Sequence, residues 1–231
     1  MTVLAVVAHP DDETLGCGAT LAKLAATRQV HVVILGDGIT ARVQARDDSA
    51  AIDELYQDAE RARDTLGAAS LTLEKLPDLR FDTVPMLEIV WRIEAVLREV
   101  RPDTVFTHHT GDLNLDHRLT AQAVLAATRP TGDFIVRDVY ACEVPSATEW
   151  AFDRIAAPFR PNVFVDVSDT VETKIAAMDC YRSERRAAPH PRSPEALRAL
   201  ARYRGSTAGF EYAEAFELVR SVRGGRDGEI R

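Results

Sequence analysis

Short unbroken apolar runs alternate with longer stretches whose apolar residues recur every three or four positions through the first 130 residues. Val3-Leu4-Ala5-Val6-Val7 is one such run, as expected of a strand covered on both faces. Glu13 to Thr27 carries Leu15, Leu21, Leu24 and several alanines without a proline, which predicts a helix. Val30 to Leu35 reads as a second strand, closed by Gly36-Asp37-Gly38. From Asp48 to Leu66, Ile52, Leu55, Ala59, Ala62 and Leu66 form one buried helical stripe, and Glu54, Asp58, Glu60, Arg61 and Asp64 fill the other face. Gly67 is placed to end that helix. Ser70 to Leu76 is a third strand; Leu87, Val90, Ile93, Leu97 and Val100 mark a third helix; Pro102 introduces a fourth strand, Thr104 to Thr107.

Strand–helix alternation of this kind requires parallel strands joined by helical crossovers. The predicted fold class is α/β: a Rossmann-like, doubly wound, mostly parallel sheet with helices on both faces. The second half is less regular. Phe134 to Val144 and Asn162 to Val167 read as strands, Asp169 to Arg182 and Glu195 to Tyr203 as helices. Between those helices, Pro189-His190-Pro191-Arg192-Ser193-Pro194 is a fixed loop, because its prolines favour extended backbone. No repeat or domain boundary interrupts the pattern, so residues 1–222 are expected to form one domain and 223–231 a frayed tail.

Composition narrows the function. A net charge of −8 offers no basic face for phosphates and argues against nucleic-acid binding. Cys17, Cys142 and Cys180 are scattered, giving no disulfide framework and no CxxC metal site. No run approaches the ~18 apolar residues of a membrane span, and the chain enters a strand at once, without a leader pattern. A cytoplasmic protein without membrane contact is expected; homo-oligomerisation is left open.

Chemistry is concentrated at two strand ends. The first strand runs into Ala8-His9-Pro10-Asp11-Asp12-Glu13, one imidazole and three carboxylates in a single turn. Carboxylates so crowded repel one another and cost desolvation free energy if covered, and a divalent cation turns that repulsion into binding. The fourth strand runs into His108-His109-Thr110-Gly111-Asp112-Leu113-Asn114-Leu115-Asp116-His117. If these strands neighbour each other where strand order reverses, the two loops meet and gather four of the six histidines. Such mixed ligands suit Zn²⁺, with Fe²⁺ or Mn²⁺ as alternatives, and a catalytic zinc keeps three protein ligands plus water.

The Ala-His-Pro-Asp-Asp-Glu turn, the Asp116-His117 pair at a helix start, and the His190-Pro191-Arg192-Ser193, Arg204-Gly205 and Tyr212-Ala213-Glu214-Ala215-Phe216 segments together resemble the PIG-L/LmbE family. These are zinc-dependent N-acetylglucosaminyl deacetylases. The resemblance implies His9, Asp12 and His117 as metal ligands and Asp11 as general base. It also implies a small N-acetylated amino-sugar conjugate as substrate, cleaved to acetate and a free amine. A nearby unligated carboxylate suits the base role, since zinc lowers the pKa of bound water to about 7. Glu13 is expected to serve the helix end, and Asp116 to orient a neighbour.

One position departs from the family. Many relatives carry a second histidine three residues before the last ligand, and here that position is Asn114. An amide can donate to an oxyanion but cannot shuttle a proton at neutral pH. His108, His109 and Asp112 are the candidates for the acid, with His109 carried forward as catalytic beside Asp11 and Asn114. Substrate contacts are expected from Asp78, Arg80 and Asp112, and from His190 and Arg192 in the proline-rich loop. Three other readings compete. Gly16-Cys17-Gly18 resembles a nucleotide-binding fingerprint, but Leu21 occupies the third glycine position and the preceding acidic turn would repel a pyrophosphate. A metallo-phosphoesterase is the second, although such sites usually bind two metals and this motif offers ligands for one. A metal-binding relative without activity is the third.

Overall fold

The computed structural model describes residues 1–41, 48–131 and 134–224. Seven strands form one sheet: β1 (Thr2–Val7), β2 (Gln29–Gly36), β3 (Ser70–Leu76), β4 (Thr104–His108), β5 (Asp138–Cys142), β6 (Val163–Asp166) and β7 (Ala213–Ser221). Their order is β3-β2-β1-β4-β5-β7-β6. The first five in that order pair in parallel, and β7 runs antiparallel to both β5 and β6. The sheet is the mostly parallel α/β sheet that the alternation predicts.

Helices α1 (Asp12–Ala25), α2 (Ser49–Leu66) and α5 (Val171–Cys180) share one core, and α3 (Met86–Val100) and α4 (Leu115–Ala127) share the other. Strand β1 divides its side chains between them by simple alternation. Val3, Ala5 and Val7 enter the first core, Leu4, Val6 and Ala8 the second, all fully buried. Gly67 ends α2 in the left-handed conformation (φ 71°), as its position predicts. A final helix, α6 (Pro194–Ala208), is capped by Ser193, whose hydroxyl accepts the Ala196 N–H at 3.1 Å.

Two differences from the predicted elements matter. Residues 213–221 form a strand that is not among the predicted elements. Its buried Glu214 draws its partners from other elements. Its carboxylate accepts the Ala19 and Thr20 N–H groups (3.2 and 2.7 Å) and pairs with Lys174 (2.7 Å), which also donates to the Leu15 carbonyl. The ion pair thereby ties β7 and α5 to the backbone of α1. The second difference is β5, which begins only at Asp138.

Strand order reverses at β1, which lies between β2 and β4. The loops after β1 and β4 therefore face each other at the carboxyl edge, as expected of a doubly wound sheet. No helix among the described residues is long and apolar enough to cross a membrane. The expected tail lies outside the described residues from 225 on; Arg223 pairs with Asp138 at 2.8 Å.

Candidate metal centre and active site

The turn after β1 is shaped by backbone strain. Asp11 has φ 100°, a conformation that costs a non-glycine residue on the order of 1–3 kcal/mol. It occupies the cap position of α1 yet makes no capping bond with its side chain. Glu13 braces the turn instead, accepting the Asp11 N–H at 3.2 Å and hydrogen bonds from Thr14 and the Tyr181 hydroxyl at 2.7 Å each. Gly38 sits opposite with φ 71°, and a Cβ there would lie 2.5 Å from the Pro10 ring. Asp11 and Asp12, adjacent in sequence, consequently have different partners.

Asp12 is the hub. Its Oδ2 stands 3.4 Å from His9 Nδ1 and 3.2 Å from His117 Nε2, and all three side chains are buried. Tetrahedral zinc with ligand bonds near 2.0–2.1 Å separates its donors by roughly 3.3 Å. Both separations match that edge, and the three donor atoms lie within 4.8 Å of one another. The nitrogen–oxygen–nitrogen set therefore fits a divalent transition metal. The far side of each imidazole meets a carboxylate: His9 Nε2 is 3.0 Å from Asp116 Oδ2, and His117 Nδ1 faces Asp112 Oδ1 at 3.3 Å. Such carboxylate–histidine pairs fix the ring and raise its basicity toward a metal. Asp112 and Asp116 are themselves held, by Thr148 (2.7 Å) and by the Phe81 N–H (3.1 Å). Asp116 thus lies against His9, whereas Asp112, expected to touch substrate, lies outside the lining of the cavity over this site and faces His117. A second triad, His9, Asp78 and Asp116, overlaps the first through His9.

The electrostatics agree with a cation site. Burial lowers the basicity of His9, but hydrogen bonds and charge from Asp116, Asp12 and Asp78 outweigh it and push the pKa up to about 10. His117 is likewise raised, to about 9, as Asp12 and Asp112 override burial. The two rings hold protons where a divalent cation would replace them. His108 is the opposite case: burial and the neighbouring His117 drive it down to about 3. Its ring stacks on His117 at 4.0 Å, and its Nε2 accepts the Ala8 N–H at 2.8 Å. It is a neutral packing group.

Asp11 is raised well above the usual carboxylate range by burial, which the Arg192 guanidinium only partly opposes. Arg192 Nη1 lies 2.6 Å from Asp11 Oδ2 and 3.2 Å from the buried Glu184, and Arg192 Nε donates to Ser146 at 2.8 Å. Above these groups opens a cavity of about 560 Å³ whose lining includes His9, Asp11, Asp12, Asp78, Asn114, His117 and Arg192.

Besides Asp112, three expected site residues lie outside that lining. His109, carried forward as an acid, lies outside that lining. Its Nδ1 is 3.0 Å from Glu217 and its Nε2 2.9 Å from the Ala157 carbonyl, so both ring nitrogens are committed to anchoring. Arg80 is exposed beyond the lining, where Asp78 and Leu79 form the wall. His190 is also outside it; its Nδ1 accepts the Arg192 N–H at 3.1 Å and its ring packs edge-on to Trp150. Asn114 does line the cavity, but its Oδ1 caps α4 by accepting the Asp116 N–H at 2.9 Å. Sequence reasoning missed Ser146, Trp150 and Glu184. Only Trp150 carried a signal, as one of two tryptophans. The Gly16-Cys17-Gly18 segment serves packing: a Cβ at Gly16 would sit 2.7 Å from Cys142 Sγ.

Comparison with known proteins bears on this geometry. The family described as GlcNAc-PI de-N-acetylase matches residues 4–128. An uncharacterised deacetylase of Escherichia coli K12, YaiS, is 28% identical over 187 residues, covering 78% of this chain and 90% of its own. Diacetylchitobiose deacetylase of Thermococcus kodakarensis is 28% identical over 237 residues, covering 95% and 84%. The structure of GalB, a 4-carboxy-2-hydroxymuconate hydratase of Pseudomonas putida KT2440, superposes with TM-score 0.76 at 24% identity over 97% of this chain and 98% of that one. The same fold thus hosts hydration as well as deacetylation, and the bond cleaved must be argued from the site.

Proposed function

Because this chain belongs to the PIG-L family of GlcNAc-PI de-N-acetylases, whose deacetylases are metal-dependent hydrolases, we propose that it removes the acetyl group from an N-acetylated amino sugar, with zinc held by His9, Asp12 and His117. The observation that carries the reading is the pair of Asp12-centred separations, 3.4 and 3.2 Å, beside a buried carboxylate, Asp11, that stands outside the ligand set.

His9, Asp12 and His117 would hold zinc there, and the ion would supply Lewis acidity toward water and the acetamide carbonyl. Asp11 accepts the proton of the water that adds to the carbonyl carbon. Its burial raises its proton affinity, so it holds that proton until the C–N bond breaks. The leaving amine then takes the proton back from Asp11, and acetate departs. One carboxyl group thus accounts for both transfers, which answers the missing acid once His109 and His108 are assigned to structure. Asn114, with Oδ1 occupied by its cap, contributes its amide NH₂ as a donor to the developing oxyanion. Asp78 is the group in the lining suited to a sugar hydroxyl.

Amine release from N-acetylglucosamine glycosides, measured with zinc- and iron-loaded protein, tests the reading. Release that depends on Asp11 supports it. A metal-loaded protein that liberates no amine from any acetamido sugar refutes it and favours a binding role.

A further inference from the structure

Large apolar side chains remain exposed at the mouth of the cleft above His9, Asp12 and His117. Leu79 is 53% exposed, Leu113 46%, Trp150 40% and Leu115 37%, and all four line the cleft. They arrive from three separate segments that follow β3, β4 and β5, Leu115 being the first residue of α4. Folding alone does not bring unconnected apolar residues to one rim and leave them in water; apolar walls over a few polar groups are the make-up of a small-molecule site.

The rim is also held in shape. His190 packs against Trp150 with ring centres 5.9 Å apart at 80°. The preceding turn is tied by Glu149, which accepts the Ser146 N–H at 2.7 Å, and by Thr148, which donates to Asp112. Leu113 N–H donates to the Ala147 carbonyl at 3.4 Å, linking the β4 loop to the β5 loop. The charge at the cleft is spent on internal pairs. Arg192, the arginine in the lining among the described residues, is committed to Asp11 and Glu184. Among the described residues of the lining, a phosphate at the mouth would meet carboxylates and leucines.

We infer that this mouth is a subsite for a neutral, apolar aglycone, aromatic or aliphatic, carried by the acetamido sugar and seated on Trp150, Leu79, Leu113 and Leu115. The inference rests on the deacetylase reading and specifies what the sugar is attached to. A nucleotide- or phosphate-linked sugar is a different class, which this rim disfavours.

Three substrates separate the outcomes: phenyl N-acetyl-β-glucosaminide, the methyl glycoside, and N-acetylglucosamine 1-phosphate, each assayed for acetate release by the zinc-loaded chain. The phenyl glycoside should exceed the methyl glycoside by about tenfold in kcat/KM, mainly through KM, as expected for stacking on one aromatic face. The phosphate should be no better than methyl. Trp150→Ala should erase most of the phenyl-to-methyl ratio, Trp150→Phe should keep it, and Leu79→Ser, on another loop, should reduce it. Trp91→Ala, an exposed tryptophan on α3 outside the lining, should leave the ratio unchanged. Equal rates on phenyl and methyl glycosides, or a preference for the phosphate, overturn the subsite while leaving the deacetylase reading standing. No acetate from any of the three overturns that reading, and the subsite with it.

Discussion

Arg192 Nη1 lies 2.6 Å from Asp11 Oδ2, joining residues 181 positions apart at the floor of the cleft. The proline-rich loop thereby brings a guanidinium to the proposed base, within the cavity lining. Asp11 is aimed by this contact and by its strained backbone (φ 100°), while Asp12 is left to the two imidazoles.

Arg192→Gln removes the cation between two buried carboxylates, Asp11 and Glu184. Expected are a fall in kcat of up to about 100-fold, from misplacement of the base, and a loss of up to about 3 kcal/mol in stability. Zinc content should be unchanged, and Arg192→Lys should recover part of the rate. Steady-state kinetics with metal analysis checks this; a fully active Arg192→Gln protein contradicts the positioning role.

Asp116→Asn tests the carboxylate behind His9. The 3.0 Å contact to His9 Nε2 orients the ring, so its loss should weaken zinc binding by about 10- to 100-fold. Competition with a metal-sensitive chelator reads this directly. Unchanged affinity would transfer Asp116 to a purely packing role.

His109→Gln is the contrasting case. Both ring nitrogens are occupied by Glu217 and the Ala157 carbonyl, outside the cleft lining. Its kcat/KM should stay within about threefold of wild type, while the melting temperature falls by a few degrees, in keeping with one or two lost hydrogen bonds. A kcat loss of about 100-fold without loss of fold would restore His109 as the acid.

Metal stabilisation should grow with pH. His9 and His117 have folded-state pKa values raised to about 10 and about 9 from the ordinary 6.5. Their protonated forms therefore add stability to metal-free protein that is full below 6.5 and lost as pH rises through 9 and 10. Metal competes with those same protons. The melting-temperature gap between zinc-loaded and chelated protein should accordingly widen from about pH 6 to about pH 9. A gap that narrows over this range would show that the two imidazoles do not bind the ion.

The sheet and both chemical loops were legible because their signals are local. The apolar run of β1 and the stripe of α2 announce their elements, and His9, Asp12 and His117 stand at the two strand ends that a doubly wound sheet brings together. What escaped depends on distant partners. β7 was not among the predicted elements, and its buried Glu214 pairs with Lys174 and meets the backbone of α1. His109 and Arg192 each had chemistry suited to the cleft, yet their roles were set by Glu217 and Asp11, more than 100 positions away. Adjacent His108 and His109 cannot be assigned from spacing when one packs on His117 and the other on the β7 side.

The most direct test of the central claim is acetate release from an N-acetylglucosaminide by chelator-treated protein, before and after one molar equivalent of zinc. The account predicts no release from the stripped protein and full recovery at one equivalent, with no recovery in Asp12→Ala or His117→Ala. Undiminished release by the stripped protein, or recovery in either variant, would contradict it.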